Sequence, residues 1–363
     1  MNDVAELTVH VAAHAAALDI DAAGYRDLTA RIHHDGAGPG SWVHEWSGLA
    51  AAREARGDLL GAAACYSFAR FPFVDSPARQ GALDNCVRAT DRWRLEVAPE
   101  VADIERLELD VLGGRVVAWT TGLVGRGVHA GGPPAGALPT AAVPAGGRPL
   151  LIVTGGIVSV KEQWAPLLLL AARLGLAAVV TEMPGVGENT LRYTADSWRM
   201  FPAILDALGG GADVTRTFAL ALSFSGQMAL RWAAEDTRVR GIITTGAPVR
   251  ALFTDRAWQR ALPPATVATL AHLTGADPGE LPDLLPGWAL SDDQLTAVGV
   301  PVRYVASTRD EIIPPADVAL LRRTLRDLAV LEHDDVHGAP GHAVQTRGWM
   351  SRALVDLRDA TSG

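Results

Sequence analysis

From residue 149 onward, short apolar runs alternate with helical stretches: PLLIVTGG, AAVVTEMPG, TFALALS, VRGIITTGAP, VPVRYVAS and LAVLEHDD are each followed by a segment of helical character. A strand with no polar alternation must be covered on both faces, and the intervening helices supply that cover. The order therefore specifies a mostly parallel central sheet with helices on both sides, an α/β fold. One longer interval, residues 251 to 295, holds helical pieces such as PPATVATLAHLTG and SDDQLTAVG between two strands, where such sheets carry a helical lid insertion.

Upstream the pattern is different. Residues 4 to 95 show helical periodicity broken by Gly, Asp and Pro, with no strand-like alternation. IERLELDVLGGRVVAWTTG then gives two alternating runs joined at Gly113-Gly114, which predicts a hairpin. The stretch from 125 to 149 is so rich in Gly, Pro and Ala that it reads as a surface loop. The expected organisation is an α-helical N-terminal domain over residues 1–100, a cap or leader, and a catalytic domain over 101–363 with the lid at about 251–295.

Composition narrows the partners. With 48% hydrophobic residues the 363-residue chain can bury a large core, and a net charge of −9 with no basic cluster excludes nucleic acid and anionic membranes as expected partners. The start, MNDVAELTVH, has no basic and apolar leader pattern. Arg173 interrupts APLLLLAARLGLAAVV before it reaches spanning length, so a cytoplasmic protein without a membrane segment is expected. Cys65 and Cys86 are too few for a disulfide framework and read as core residues. No Cys/His spacing resembles a metal site, and neither metal nor cofactor is expected.

The chemistry concentrates in ALSFSGQ, residues 221 to 227, where an apolar run meets an amphipathic helix. A sharp strand-to-helix turn can hold a serine hydroxyl at the edge of a sheet but admits only small side chains two positions to either side. Ser223 has Ala221 before it and Ser225 after it, whereas Ser225 would place Gln227 in the crowded position, so Ser223 is the better nucleophile. The alternative is a strand ending in an N-cap serine. The Phe224 N–H at the helix start is an oxyanion donor. Gly155-Gly156 after the first long strand offers a second from Gly156 or Ile157, and no phosphate-binding glycine pattern surrounds that pair.

A serine hydroxyl needs an imidazole base, and the imidazole needs a carboxylate, in the order serine, acid, histidine. Asp310 follows the run VPVRYVAS and precedes a Pro-bounded loop, with Glu311 the adjacent alternative. His333 falls within the last strand. His337 lies just past it, before a Gly-Pro loop, and His342 precedes the final helix, which leaves His337 as preferred base and His342 as the alternative. The remaining histidines have no such partner and read as surface or core.

With these residues in place, the chain from about 150 to the end resembles the FrsA-like esterases, the fermentation-respiration switch protein family of α/β-hydrolases, which also includes pseudooxynicotine-type hydrolases. TGGIVSVKEQW, TEMPGVGEN, ALSFSGQMALRWAAEDTRVRGIITTGAPV and STRDEIIPP carry the resemblance, and the N-terminal helices are similar to the family's helical leader. It implies the α/β-hydrolase fold, with Ser223 as nucleophile, Asp310 as acid, His337 as base, and Phe224 with the Gly156 region as oxyanion hole. It also implies a structural role for Glu188. Ala221 and Ser225 stand where the family has glycines, Val158 where it has an aspartate, and HGAPGH replaces its usual ending.

The expected activity is that of a serine hydrolase or acyltransferase acting on an ester, thioester or activated carbonyl. The N-terminal helices and the lid would set substrate choice, with Trp198, Phe201, Leu252, Phe253, Trp258 and Trp288 forming an apolar pocket; ordinary core packing is the alternative role for these side chains. Such a pocket, with the arginine-over-lysine bias of a GC-rich source, points to a bulky hydrophobic or carrier-bound acyl substrate, such as a polyketide or other natural-product intermediate that is released or cyclised. A homodimer is compatible with this reading. The rivals are a carbon–carbon bond hydrolase using the same residues and a non-catalytic binding protein on the same fold.

Overall fold

The computed structural model describes residues 2–16, 20–96, 102–124 and 147–361. The glycine- and proline-rich stretch read as a loop lies, over residues 125–146, outside them. The chain divides into two compact units, Met1–Pro99 and Glu100–Gly363.

The first unit is helical: Val4–Ala16, Ala22–Thr29, Trp42–Glu54, Leu59–Ala69 and Pro77–Glu96. Its helix starts follow from side-chain caps. Asp21, Ser41 and Asp58 accept the N–H groups of Gly24, His44 and Gly61, donors that the first helical turn leaves without partners. Trp42, Trp46, Cys65 and Cys86 are fully buried at its centre. The indole of Trp42 donates to the Phe68 carbonyl at 2.7 Å, which satisfies its one polar atom. A buried Arg79–Asp35 ion pair, with Asp75 on the same guanidinium at 2.8 Å, ties the last helix to the loop before the third.

The second unit is built on eight strands: β1 Ile104–Val111, β2 Gly114–Thr121, β3 Pro149–Thr154, β4 Ala177–Thr181, β5 Asp213–Ala221, β6 Val239–Thr245, β7 Val302–Ser307 and β8 Leu328–His333, in the order β1-β2-β4-β3-β5-β6-β7-β8. Strands β3 to β8 run parallel, and β1 and β2 are antiparallel at one edge. The hairpin turns at Leu112-Gly113 instead of Gly113-Gly114, because Val111 pairs with Gly114, which is already in β2. Leu112 and Gly113 take φ of 54° and 77°, the left-handed pair that a tight two-residue hairpin demands. Strands β3 and β4 are buried at every position, as their unbroken apolar sequences require.

The strand order decides where a ligand can sit. The chain leaves β3 for β4 on one side and later returns to β5 on the other, so the loops after β3 and β5 diverge and open a crevice at the carboxyl ends of the strands. Thr154 and Ala221, the last residues of these strands, lie side by side in register. Between β6 and β7 the chain passes through short helices, among them Ala251–Thr254, Arg256–Ala261, Pro264–Thr274 and Asp292–Ala297. Among the described residues no helix is long and apolar enough to cross a membrane.

Candidate active site

Beyond β5, Leu222 donates to the Thr154 carbonyl at 3.0 Å and Ser223 to the Thr245 carbonyl at 2.7 Å, so the turn is fastened to strands on both sides. Those two bonds hold Ser223 at φ 59° and ψ −129° before the helix Phe224–Ala233 begins. A non-glycine residue in that region costs about 1–3 kcal/mol, and such strain persists only where the surroundings enforce it. The second serine serves the turn itself. Ser225 is fully buried and donates to the carbonyls of Thr154 and Leu222, both at 2.9 Å. Its hydroxymethyl group thus fits a position where the family pattern has glycine.

Three further loops converge on Ser223. Its Oγ lies 2.9 Å from His337 Nε2, and His337 Nδ1 lies 2.9 and 3.0 Å from the two oxygens of Asp310. Asp310 is in turn oriented by the N–H groups of Ile312 and Ile313, which donate to its Oδ1 at 2.9 and 2.7 Å. With its Nδ1–H directed at Asp310, His337 presents Nε2 as the acceptor for the serine proton. Burial disfavours the charged imidazolium, but the charge and hydrogen bond of Asp310, with the charge of Glu311, outweigh it and hold the His337 pKa above its ordinary value.

Space for this arrangement comes from two glycines. Gly246, just past β6 at φ 57°, has no side chain where a Cβ would stand 2.7 Å from Cε1 of His337. Gly156 approaches Ser223 itself: a Cβ there would be 3.0 Å from that of the serine. The loop after β3 therefore places bare backbone, with buried Ile157 next to it, against the serine. On the other side stands the first residue of the helix, Phe224, whose N–H has no acceptor within its own helix.

His342 is placed elsewhere. Its Nδ1 is 3.0 Å from Asp335, and its ring stacks on His333 with centroids 4.4 Å apart, while His333 Nε2 meets the Thr346 hydroxyl at 3.1 Å. Glu311, the neighbouring acid, accepts the backbone N–H of His337 at 3.0 Å instead of facing its ring nitrogen. Sequence patterning could not reveal that role, because it depends on how two loops from different strands meet.

The six apolar residues separate into two groups. Phe253 meets Phe224 edge to face at 6.3 Å, the Trp258 indole donates to the Ile312 carbonyl beside Asp310, and the Trp288 carbonyl accepts from Gln227 in the first helical turn after Ser223. Leu252, fully buried, precedes Phe253. Trp198 and Phe201 form the second group. Trp198 lies under the Arg231 guanidinium and Phe201 stacks on Trp232, at 5.3 and 5.0 Å. At 1.5 Å of rise per residue those partners are roughly 12 Å along the helix from Ser223, so both aromatics pack the helix flank.

Behind the loop after β3 sits a charged cluster. Lys161, fully buried, lies 2.9 Å from Glu162, 3.5 Å from Glu182 and 2.7 Å from Glu188, which also pairs with Arg106 at 2.6 Å. Burial opposes the Lys161 charge, but the three carboxylates overcome this and raise its pKa. For Glu182, burial prevails over Lys161 and pushes the pKa up to about 7. Glu182 also accepts the N–H groups of Lys161 and Glu188, joining the loop after β3 to the turn after β4. The sequence pointed to Glu188 as a support, and its link to Lys161 carries that role.

A family model described as "Esterase FrsA-like" matches residues 119–283. Two solved structures of AbyA5 are similar over nearly the whole chain: one is 50% identical over 93% of each chain with a TM-score of 0.81, and the wild type is 48% identical over 100% of each with a TM-score of 0.84. The 2,6-dihydroxy-pseudo-oxynicotine hydrolase is 21% identical over 88% of this chain and 87% of its own, with a TM-score of 0.66, a likeness of fold. No curated protein matches the chain.

Proposed function

Because the chain belongs to the FrsA-like esterase family and has its α/β-hydrolase fold, we propose that it is a serine hydrolase or acyltransferase in which Ser223, His337 and Asp310 form the catalytic triad. The observation that carries this reading is the continuous chain from Ser223 Oγ to His337 Nε2 and from His337 Nδ1 to Asp310, with each link near 2.9 Å and the serine held at positive φ.

In the first half-reaction, Ser223 Oγ attacks the carbonyl carbon of an ester or thioester while His337 Nε2 takes its proton. Asp310 stabilises the imidazolium that results. The N–H of Phe224 and a backbone donor at Gly156 or Ile157 face the developing oxyanion, and one such donor is worth about 3 kcal/mol. Collapse of the tetrahedral species breaks the bond to the leaving alcohol or thiol, which takes the proton back from His337. Water, or a hydroxyl of the substrate itself, then attacks the acyl-enzyme with His337 again as base, giving release or cyclisation.

Leu252, Phe253, Trp258 and Trp288 support a bulky hydrophobic acyl group, free or carrier-bound, as expected of a natural-product intermediate. A fluorophosphonate probe tests the assignment. The wild type and Ser225→Ala take up one label and Ser223→Ala takes up none; a wild type that resists labelling, or equal labelling of Ser223→Ala, removes the catalytic reading and favours a binding protein. Product analysis with a trapped acyl-enzyme separates ester cleavage from carbon–carbon cleavage.

A further inference from the structure

The loop between β8 and the last helix, Ala343–Ala360, carries His337, and two carboxylates outside the triad grip its backbone. Asp335 stands at its base. Its Oδ1 accepts the Val336 N–H at 2.8 Å, its Oδ2 accepts the Gly341 N–H at 2.8 Å and meets His342 Nδ1 at 3.0 Å, so one side chain ties the start of the loop to its end. The Asp335 carbonyl also accepts the Arg309 N–H at 3.0 Å, fastening this loop to the one that bears Asp310. From that second loop Glu311 Oε2 accepts the N–H of His337 itself at 3.0 Å.

Such ties are needed because the loop is conformationally costly. Gly338 and Ala339 both take left-handed backbone angles, φ 80° and 51°, and the alanine has no intrinsic preference for that region. The bond to Asp310 fixes the rotation of the His337 ring but not the position of its Cα, on which the distance to Ser223 depends. Hydrogen bonds from backbone N–H to an ionised carboxylate are shorter and roughly twice as strong as neutral ones. Three of them converge on the short stretch from Val336 to Gly341.

We propose that Glu311 and Asp335 are positioning residues that set the reach of His337 to Ser223, an inference that rests on the serine-hydrolase reading of the site. Stacking of His342 on His333 is then a buttress for Asp335 and gives that histidine a structural role. The titratable groups that face His337 or its loop are Asp310 and Glu311 from the loop after β7 and Asp335 with His342 from its own loop; Arg309 is engaged by Asp334 at 2.7 Å.

The test uses the full chain, a p-nitrophenyl acyl ester and the His337 Nδ1–H proton resonance, which a hydrogen bond to carboxylate moves far downfield and which is read without turnover. Glu311→Leu and Asp335→Asn each lower kcat by about tenfold or more with KM within about twofold, since small misplacements of a catalytic group carry penalties of that size. Both broaden the downfield resonance. Glu311→Gln keeps an acceptor oxygen without the charge: it recovers most of the turnover lost in Glu311→Leu and moves the acidic limb of kcat/KM to lower pH. Wild-type kcat with an unbroadened resonance in both Glu311→Leu and Asp335→Asn overturns the proposal, as does a loss matched by equal loss of folded protein in all three variants. A wild type that neither turns over ester nor takes up fluorophosphonate defeats the hydrolase reading instead, and the resonance then decides the positioning claim alone.

Discussion

Two histidines five residues apart, each within 3.0 Å of its own aspartate, show how little a pairing says until the third partner is placed. His337 reaches Ser223 and His342 stacks on another ring. The outcome expected is that His337→Gln lowers kcat/KM with an acyl ester by about a thousandfold or more, while His342→Gln costs at most a few-fold. The pH profile supplies a second measurement. Asp310 and Glu311 hold the His337 pKa above the ordinary 6.5, so the base is blocked by its own proton over a wider acid range and the acidic limb of kcat/KM lies above that value. The same shift favours the folded protein below 6.5, and that contribution fades as pH rises through the folded pKa. A limb below 6.5 would contradict the assignment. Ser223 and Asp310 stood out in the sequence as candidate nucleophile and acid because strand ends and helix starts leave local patterns. The choice of base was readable only as an ordering along a loop, since the stacking that occupies His342 involves a residue nine positions earlier in β8.

The strand ends form the site, and the alternation of apolar runs with helices made them readable: each of the six runs contributes a strand, β3 to β8, and the loops after β3, β5, β7 and β8 carry Gly156, Ser223, Asp310 and His337. What the runs could not convey was the room between loops. Gly246 follows β6 and carries no chemistry, yet a methyl group there would stand 2.7 Å from the His337 ring and 3.4 Å from an Asp310 oxygen, at a backbone angle that alanine resists. Gly246→Ala is therefore expected to displace the base rather than unfold the sheet. Turnover should fall by about tenfold or more, as for other small displacements of catalytic groups, with the thermal midpoint lowered by only a few degrees. Circular dichroism melting alongside ester kinetics checks this; an equal loss of both would mean that the glycine serves the sheet. Trp198 and Phe201 raise a related point. An apolar side chain near a predicted site has the same composition whether it faces the substrate or the flank of the helix, and only the packing on Trp232 and Arg231 tells them apart.

The strand order reverses between β3 and β5, so the chain leaves these two strands in opposite directions along the sheet. Lys161 fastens the loop after β3. Seated behind the loop, it binds carboxylates from the turn after β4, so the backbone facing Ser223 is held by charge and not by a strand partner. Its removal leaves two fully buried acids, Glu162 and Glu182, without their cation, the second with its pKa already pushed up to about 7, while Glu188 keeps Arg106. Lys161→Met is expected to cost about 3–5 kcal/mol, the range for breaking a buried pair by deleting one partner. Adding Glu182→Gln to it should return part of the loss at pH 7 and above, because the amide carries no charge that burial must suppress by binding a proton. The linkage sign gives an independent measure. A carboxyl whose pKa rises from 4.5 to about 7 on folding holds a proton that the unfolded chain releases, so stability falls as pH rises between those values and levels off above. Glu188, held below its ordinary value despite its burial, mainly by Lys161 with help from Arg106, acts in the opposite sense and only below 4.5; within the upper window buried Asp317 and His337 add to the fall, and His333, lowered by burial, opposes it, so the comparison with Glu182→Gln isolates the Glu182 share. Urea midpoints taken from pH 5 to pH 7 should therefore drop more steeply in the wild type than in Glu182→Gln. Parallel slopes would show that Glu182 is ionised across this range in the folded protein, paired with Lys161 as a full charge.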